Sequence, residues 1–246
     1  MNSPLLLLCS GSALEGGERL GEGVEGVDVL VTHEIVPVPE GIEEALAFDP
    51  AGATLIVTSR TTVILLDEAS AGFFRRNFGR CLASGEATSL ALLAAGAPAV
   101  VVPEVPGAAG VVDLLSELGA GRLLWPHGSD ADTAPLEAVR ASRTSLTAPV
   151  VYEKCPVRNL DPVRLEAFFA GHYAGVAVSS TAALDVFLAA ARANGRAFPN
   201  VRWGAIGPAT ARALTERHLP APVVPTRARL TDLIDALKRA ASATET

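Results

Sequence analysis

The sequence predicts an α/β protein of two similar domains, each a parallel sheet flanked by helices, joined by a two-stranded β hinge. Three observations carry this. Short apolar runs alternate with helical patterns along the chain, one strand–helix–strand–helix unit occurs twice, and two Pro-flanked β-prone segments stand where the copies change over. Alternation of this kind is the pattern of parallel sheets covered by helices.

Taken in order, strand-length apolar runs lie at 5–9, 27–31, 53–58, 99–102, 122–125, 150–152, 175–179, 201–206 and 222–224. Each is too short for a helix and rich in Val, Leu, Ile or Ala, as strands buried on both faces are. Helical periodicity fills 61–71, 86–95, 108–118, 162–169, 182–193, 208–217 and 230–239. Gly96, Gly119 and Gly195 follow three of these, where a left-handed cap belongs.

The repeat is read from register. Gly85 and Gly207, Thr88 and Thr210, and Pro103 and Pro225 are each 122 residues apart, and Ser59 and Ser180 are 121 apart. Four matches in order argue for related units. Laid end to end, such units leave residues 1–36 without a copy. Segments 34–39 and 149–153 read as strands crossing between domains, which puts residues 1–36 with 152–246 in one domain and 37–151 in an inserted one. A cleft between the two is the expected consequence.

Composition narrows the class of function. The chain has 246 residues, 49% apolar, with 22 Gly and 17 Pro, which suits a globular protein. No apolar run reaches the roughly 20 residues of a spanning helix, so a cytoplasmic protein without a membrane partner is expected. Net charge is −7, with 8 basic and 19 acidic groups in 1–150 against 12 and 8 in 151–246. Basic residues form no dense stripe and aromatics are 5%, which argues against nucleic acid. Cys9, Cys81 and Cys155 lack metal-ligand spacing and lie in or beside apolar stretches, so inert thiols are expected.

Candidate chemistry collects at strand-to-helix junctions. Ser59, Thr88, Ser180 and Thr210 all stand there, at the strand ends where α/β proteins bind ligands. In Gly207-Pro208-Ala209-Thr210, Pro fits the first helical position and the amides of Ala209 and Thr210 are free to hold a carboxylate. Each hydroxyl is equally an ordinary helix cap. Of Ser179 and Ser180, one caps and the other is free to face a ligand. Gly107-Ala108-Ala109, inside Pro106 to Gly110, makes an anion nest or a close-packed loop. Tyr152, on the second hinge strand, is a proton donor or a packing ring. His33, His127, His172 and His218 are isolated, and 127–130 reads as a polar turn rather than a metal site. Nucleophile elbow, phosphate loop and dinucleotide fingerprint are all missing.

In its ordered motifs the chain resembles the uroporphyrinogen-III synthase family. Those motifs are Thr58-Ser59, the Gly-x-x-Thr of Gly85 and Thr88, the 106–115 stretch, Val151-Tyr152-Glu153, Ser179-Ser180, and above all Ala-Ile-Gly-Pro-Ala-Thr-Ala-Arg-Ala-Leu at 205–214. The resemblance implies a HemD-like fold and a hydro-lyase that needs no cofactor or metal and works as a monomer. Its substrate would be hydroxymethylbilane, a linear tetrapyrrole polycarboxylate, closed with loss of water and inversion of ring D through a spiro intermediate. It implies Tyr152 as the assistant to water loss, with Thr88, Ser180 and Thr210 as cleft positions. Ser59, the amides around Gly107, Ala108 and Ala109, and those from Gly207 to Thr210 would bind carboxylates. Cys9-Ser10 and His127-Gly128 stand where the family often has Thr-Arg and Arg-Gly. A two-domain protein that binds a small anion without turnover is the alternative of another class.

Overall fold

A computed structural model describes residues 3–11, 25–118, 121–132, 134 and 145–242 of the chain. They fall into two compact units, Met1–Glu34 with Cys155–Thr246, and Ile35–Lys154. The boundaries lie inside two strands, β2 (Val27–Pro37) and β8 (Val150–Pro156).

The second unit contains α1 (Pro39–Ala47), β3 (Thr54–Val57), α2 (Arg60–Ala69), β4 (Arg80–Ala83), α3 (Glu86–Ala94), α4 (Ala108–Leu118), β5 (Arg122–Leu124), β6 (His127–Gly128) and β7 (Ser145–Thr147). Its sheet runs β4-β3-β5-β7, parallel throughout, with Thr54 opposite both Arg80 and Leu123. Leu55 and Val57 pack beneath Val63, Leu66 and Leu92 of α2 and α3. Ile56, between them in sequence, points to the other face with Val111 and Leu115 of α4. That alternation within an unbroken apolar run is what a strand covered on both faces requires.

The first unit holds β1 (Leu5–Ser10), α5 (Pro162–Phe169), β9 (Gly175–Val178), α6 (Thr181–Ala193), β10 (Arg202–Ala205), α7 (Pro208–Glu216) and α8 (Leu230–Ser242). Its strands run β10-β9-β1-β2, again parallel. Leu6 and Leu8 face Phe168, Phe187 and Trp203, whereas Leu5, Leu7 and Cys9 face Leu233, Ile234 and Leu237 of α8.

The two units share one topology entered at different points. Val101 bridges Leu82 and Val223 bridges Gly204, both in parallel and 122 residues apart, and α4 and α8 also start 122 apart. Counting those bridges as the third strand, each unit has spatial order 3-2-1-4-5, with β3 or β9 as the first strand. In the first unit the fourth and fifth strands are β1 and β2 at the N-terminus, in the sheet positions that β5 and β7 occupy in the second. Residues 1–36 therefore do have a copy, which register matching misses because the chain reaches it in permuted order.

Other expectations shift at their ends. Runs 99–102 and 222–224 make single bridges rather than strands. Segments 27–31 and 34–39 merge into the 11-residue β2, which ends before α1, a helix that the extended reading of 34–39 obscured. The expected left-handed glycines are seen at Gly96 (φ 97°) and Gly195 (φ 72°), and Gly119 lies outside the described residues.

Candidate active site

In an α/β sheet of this order, ligands bind beyond the strand ends where the order reverses, between the first and fourth strands. In the second unit that point is the end of β3 beside β5. Ser59, extended at φ −141° and ψ 139°, is the N-cap of α2, and its Oγ accepts the Thr61 amide at 3.2 Å. The Tyr152 hydroxyl, on β8, donates to the same oxygen at 3.1 Å. Tyr152 is only 6% exposed, whereas Ser59 is half-buried. Burial pushes the phenol's pKa up; the Ser59 bond opposes this, the Asp130 carboxylate adds to it, and a bond with the Thr61 side chain again opposes it.

The floor of this site comes from residues read as a simple turn. His127-Gly128 is a buried short strand paired with Val150 and Tyr152, and the turn begins only at Ser129. A methyl group at Gly128 would overlap ring carbons of Tyr152 and sit 2.6 Å from its hydroxyl oxygen. The ring lies where a side chain would otherwise be. His127 stacks on Trp125 at 4.6 Å and its Nδ1 meets the Gly128 carbonyl at 2.8 Å, so that nitrogen carries the proton. The Trp125 indole N–H donates to Thr58 Oγ1 at 3.4 Å. Asp130 pairs with Lys154 at 3.4 Å. Gly128 is the residue that sequence reasoning missed, because the ring that fills its Cβ space comes from another strand.

Two further helix starts stand at the same sheet edge. Ser84 bonds back to β3 through its amide to Val57 O at 3.1 Å and its Oγ to Thr58 O at 3.1 Å. Gly85 caps α3 with extended backbone and no side chain, placing Thr88 as the third helical residue, 6% exposed. Gly107, at φ 118°, donates its amide to Ser84 O at 2.8 Å and opens α4, so Ala108 and Ala109 are its first two residues. The φ of Gly107 explains a glycine there.

The first unit repeats the pattern. Ser180 caps α6, accepting the Ala183 amide at 3.1 Å, while Ser179 bonds through its amide to Leu8 O, beside the reversal point between β9 and β1. Ser180 is thus the cap and Ser179 the hydroxyl left over. Gly207, extended like Gly85, precedes Pro208; Ala209 and Thr210 are second and third in α7, and Thr210 is 5% exposed. A Cβ at Gly207 would meet nothing within 4 Å, so no protein packing requires a glycine there. The second-unit group of Ser59, Tyr152, Thr88 and Gly107–Ala109 and the first-unit group of Ser179, Ser180, Gly207, Ala209 and Thr210 are each gathered at one sheet edge of their own unit.

Cys9 and Cys81 are buried, and desolvation pushes each thiol up to about 11, leaving little thiolate at neutral pH. Among the described residues no three His, Cys, Asp or Glu side chains gather as a metal-ligand set, and no helix is long and apolar enough to cross a membrane.

Two 3-2-1-4-5 units, each with a serine-capped helix start at its reversal point and helix starts without a side-chain cap further along the same edge, define an α/β protein with the ligand-binding edge usual in such sheets. The family model described as uroporphyrinogen-III synthase HemD matches residues 23–238, and the chain belongs to that family. Solved structures agree on the fold. A uroporphyrinogen-III synthetase from Helicobacter pylori 26695 matches with TM-score 0.64 and 17% identity, over 99% of this chain and 100% of that one. A mutant uroporphyrinogen III synthase from the extremely thermophilic bacterium Thermus thermophilus matches at TM-score 0.58 and 20% identity, over 98% and 99%. The wild-type Thermus enzyme in another crystal form matches at 0.50 and 22%, over 99% and 100%. No curated protein sequence matches significantly.

Proposed function

We propose that the chain closes hydroxymethylbilane to uroporphyrinogen III, losing water and inverting ring D through a spiro intermediate. The observation that carries this, beyond family membership, is the Tyr152–Ser59 hydroxyl pair at the start of α2. Loss of the terminal hydroxyl as water needs a proton at the departing oxygen, and the pair supplies a donor. Electrons of the pyrrole nitrogen expel the water, so the protein's larger task is to hold a flexible polyanion in one curl. Backbone amides at the starts of α3, α4 and α7, with the Thr88 and Thr210 hydroxyls, are proposed to take its carboxylates, and Ser179 and Ser180 to take others at α6. In this proposal β2 and β8 are the hinge strands that join a domain of 1–36 with 152–246 to an inserted domain of 37–151. The reaction then needs no cofactor. Its first test is product analysis with freshly made hydroxymethylbilane: type III isomer above a protein-free control supports it, and retention of the bilane without turnover supports a binding protein instead.

A further inference from the structure

We infer that Ser59 is the catalytic group that passes a proton to the departing hydroxyl, with Tyr152 behind it as the resupplying donor and Gly128 as the residue that positions Tyr152. This rests on the synthase reading above, and deepens it by placing a different atom against the substrate. Hydroxyl arithmetic leads there. A serine hydroxyl has two acceptor sites and one proton to donate. The Ser59 oxygen accepts from the Thr61 amide at 3.2 Å and from the Tyr152 hydroxyl at 3.1 Å, so both acceptor sites are filled and its own O–H is left to point outward. Accessibility gives the same order, since Ser59 is half-buried and Tyr152 is buried. The phenol proton is aimed at Ser59, and Gly128 holds the ring in that attitude by leaving the space a Cβ would fill.

In the step, the C–O bond of the hydroxymethyl group breaks with its electron pair going to oxygen, and the pyrrole nitrogen lone pair fills the carbon. The Ser59 proton moves to that oxygen and water leaves. The Tyr152 proton moves to Ser59 Oγ, so the phenolate balances the new pyrrolic cation. The proton released when the macrocycle recloses restores the phenol. Donors bonded in series strengthen one another, which favours this relay over an isolated serine.

The test compares Ser59→Ala, Ser59→Gly, Ser59→Thr, Tyr152→Phe and the double variant Ser59→Gly with Tyr152→Phe, reading kcat and KM for hydroxymethylbilane. Gly is a good N-cap in its own right, so Ser59→Gly removes the hydroxyl while preserving the start of α2. Expected are a kcat about 10-fold or more lower in Ser59→Gly with KM little changed, recovery of most of the loss in Ser59→Thr, and a double variant no slower than the worse single one. Wild-type kcat in a folded Ser59→Gly, or losses that multiply in the double variant, would overturn the relay. Failure of the wild type itself to form type III product instead removes the synthase reading, so the two failures are distinct.

Discussion

Burial, a hydrogen bond and a steric slot all act on the one ring of Tyr152. Tyr152→Phe keeps the ring and removes one donor; steady-state kinetics should show activity down about 10-fold with substrate affinity nearly unchanged. The pH sign follows from burial. A phenol whose pKa is raised stays protonated through its ordinary range, so the difference between wild type and Tyr152→Phe should be constant from about pH 6 to 9. Gly128→Ala tests the slot: the backbone there has no positive φ, so strain comes from the ring alone, and kcat should fall at least as far as in Tyr152→Phe. Tyr152 and Ser59 were each legible in the sequence, one by rarity on a β-prone segment and the other by its junction. Their bond was not, since 93 residues separate them and they stand on strands of different sheets, Tyr152 on β8 and Ser59 just past β3. Gly128 was illegible for the same reason, its partner being across a strand pair rather than along the chain.

Elements were read best where local rules act alone. Ser59 and Ser180 sit as N-caps at the predicted junctions, and α4 and α5 match the predicted bounds. The α1 helix was lost because Pro39 suits both an extended segment and a first helical turn, and the contacts that settle it are tertiary: Val38 donates to Val151 O at 3.0 Å, and Gly41 packs against the Val150 carbonyl too closely for any Cβ. The cap and ligand roles of a helix-start hydroxyl can be separated at α6. Ser180→Asp retains a good cap and a favourable charge at a helix N-terminus, so thermal stability should be held. If that start binds a substrate carboxylate, the added negative charge should raise KM several-fold; an unchanged KM would leave Ser180 as a cap only. At α7, Thr210→Val should raise KM more than it lowers kcat.

For the whole molecule, internal repetition was legible and its permutation was not. Register matching sees copies that run in the same order, and found the strands and helices from β3 to α4 again from β9 to α8. It is blind to β1 and β2 standing for β5 and β7, because that equivalence exists only as sheet position. Both units bury a cysteine, which couples the fold to alkaline pH. Cys9 and Cys81 are raised from 9.0 to about 11, so the folded state keeps protons that the unfolded chain releases above pH 9. Their contribution is fully present below pH 9 and is lost as pH rises through 11, with a slope of about 1.4 kcal/mol per pH unit for each thiol in that window. Melting temperatures recorded from about pH 7 to 11 should be flat to pH 9 and then fall, and Cys9→Ala should make the fall shallower.

Synthase activity is measured by mixing freshly generated hydroxymethylbilane with the protein, quenching by oxidation at short times and resolving the porphyrin isomers. Uncatalysed closure leaves ring D uninverted and gives type I. The proposal requires type III in excess of type I at early times, in proportion to protein added, with the excess reduced in Tyr152→Phe and in Ser59→Gly. Type I alone, formed at the rate of the protein-free control, would contradict it.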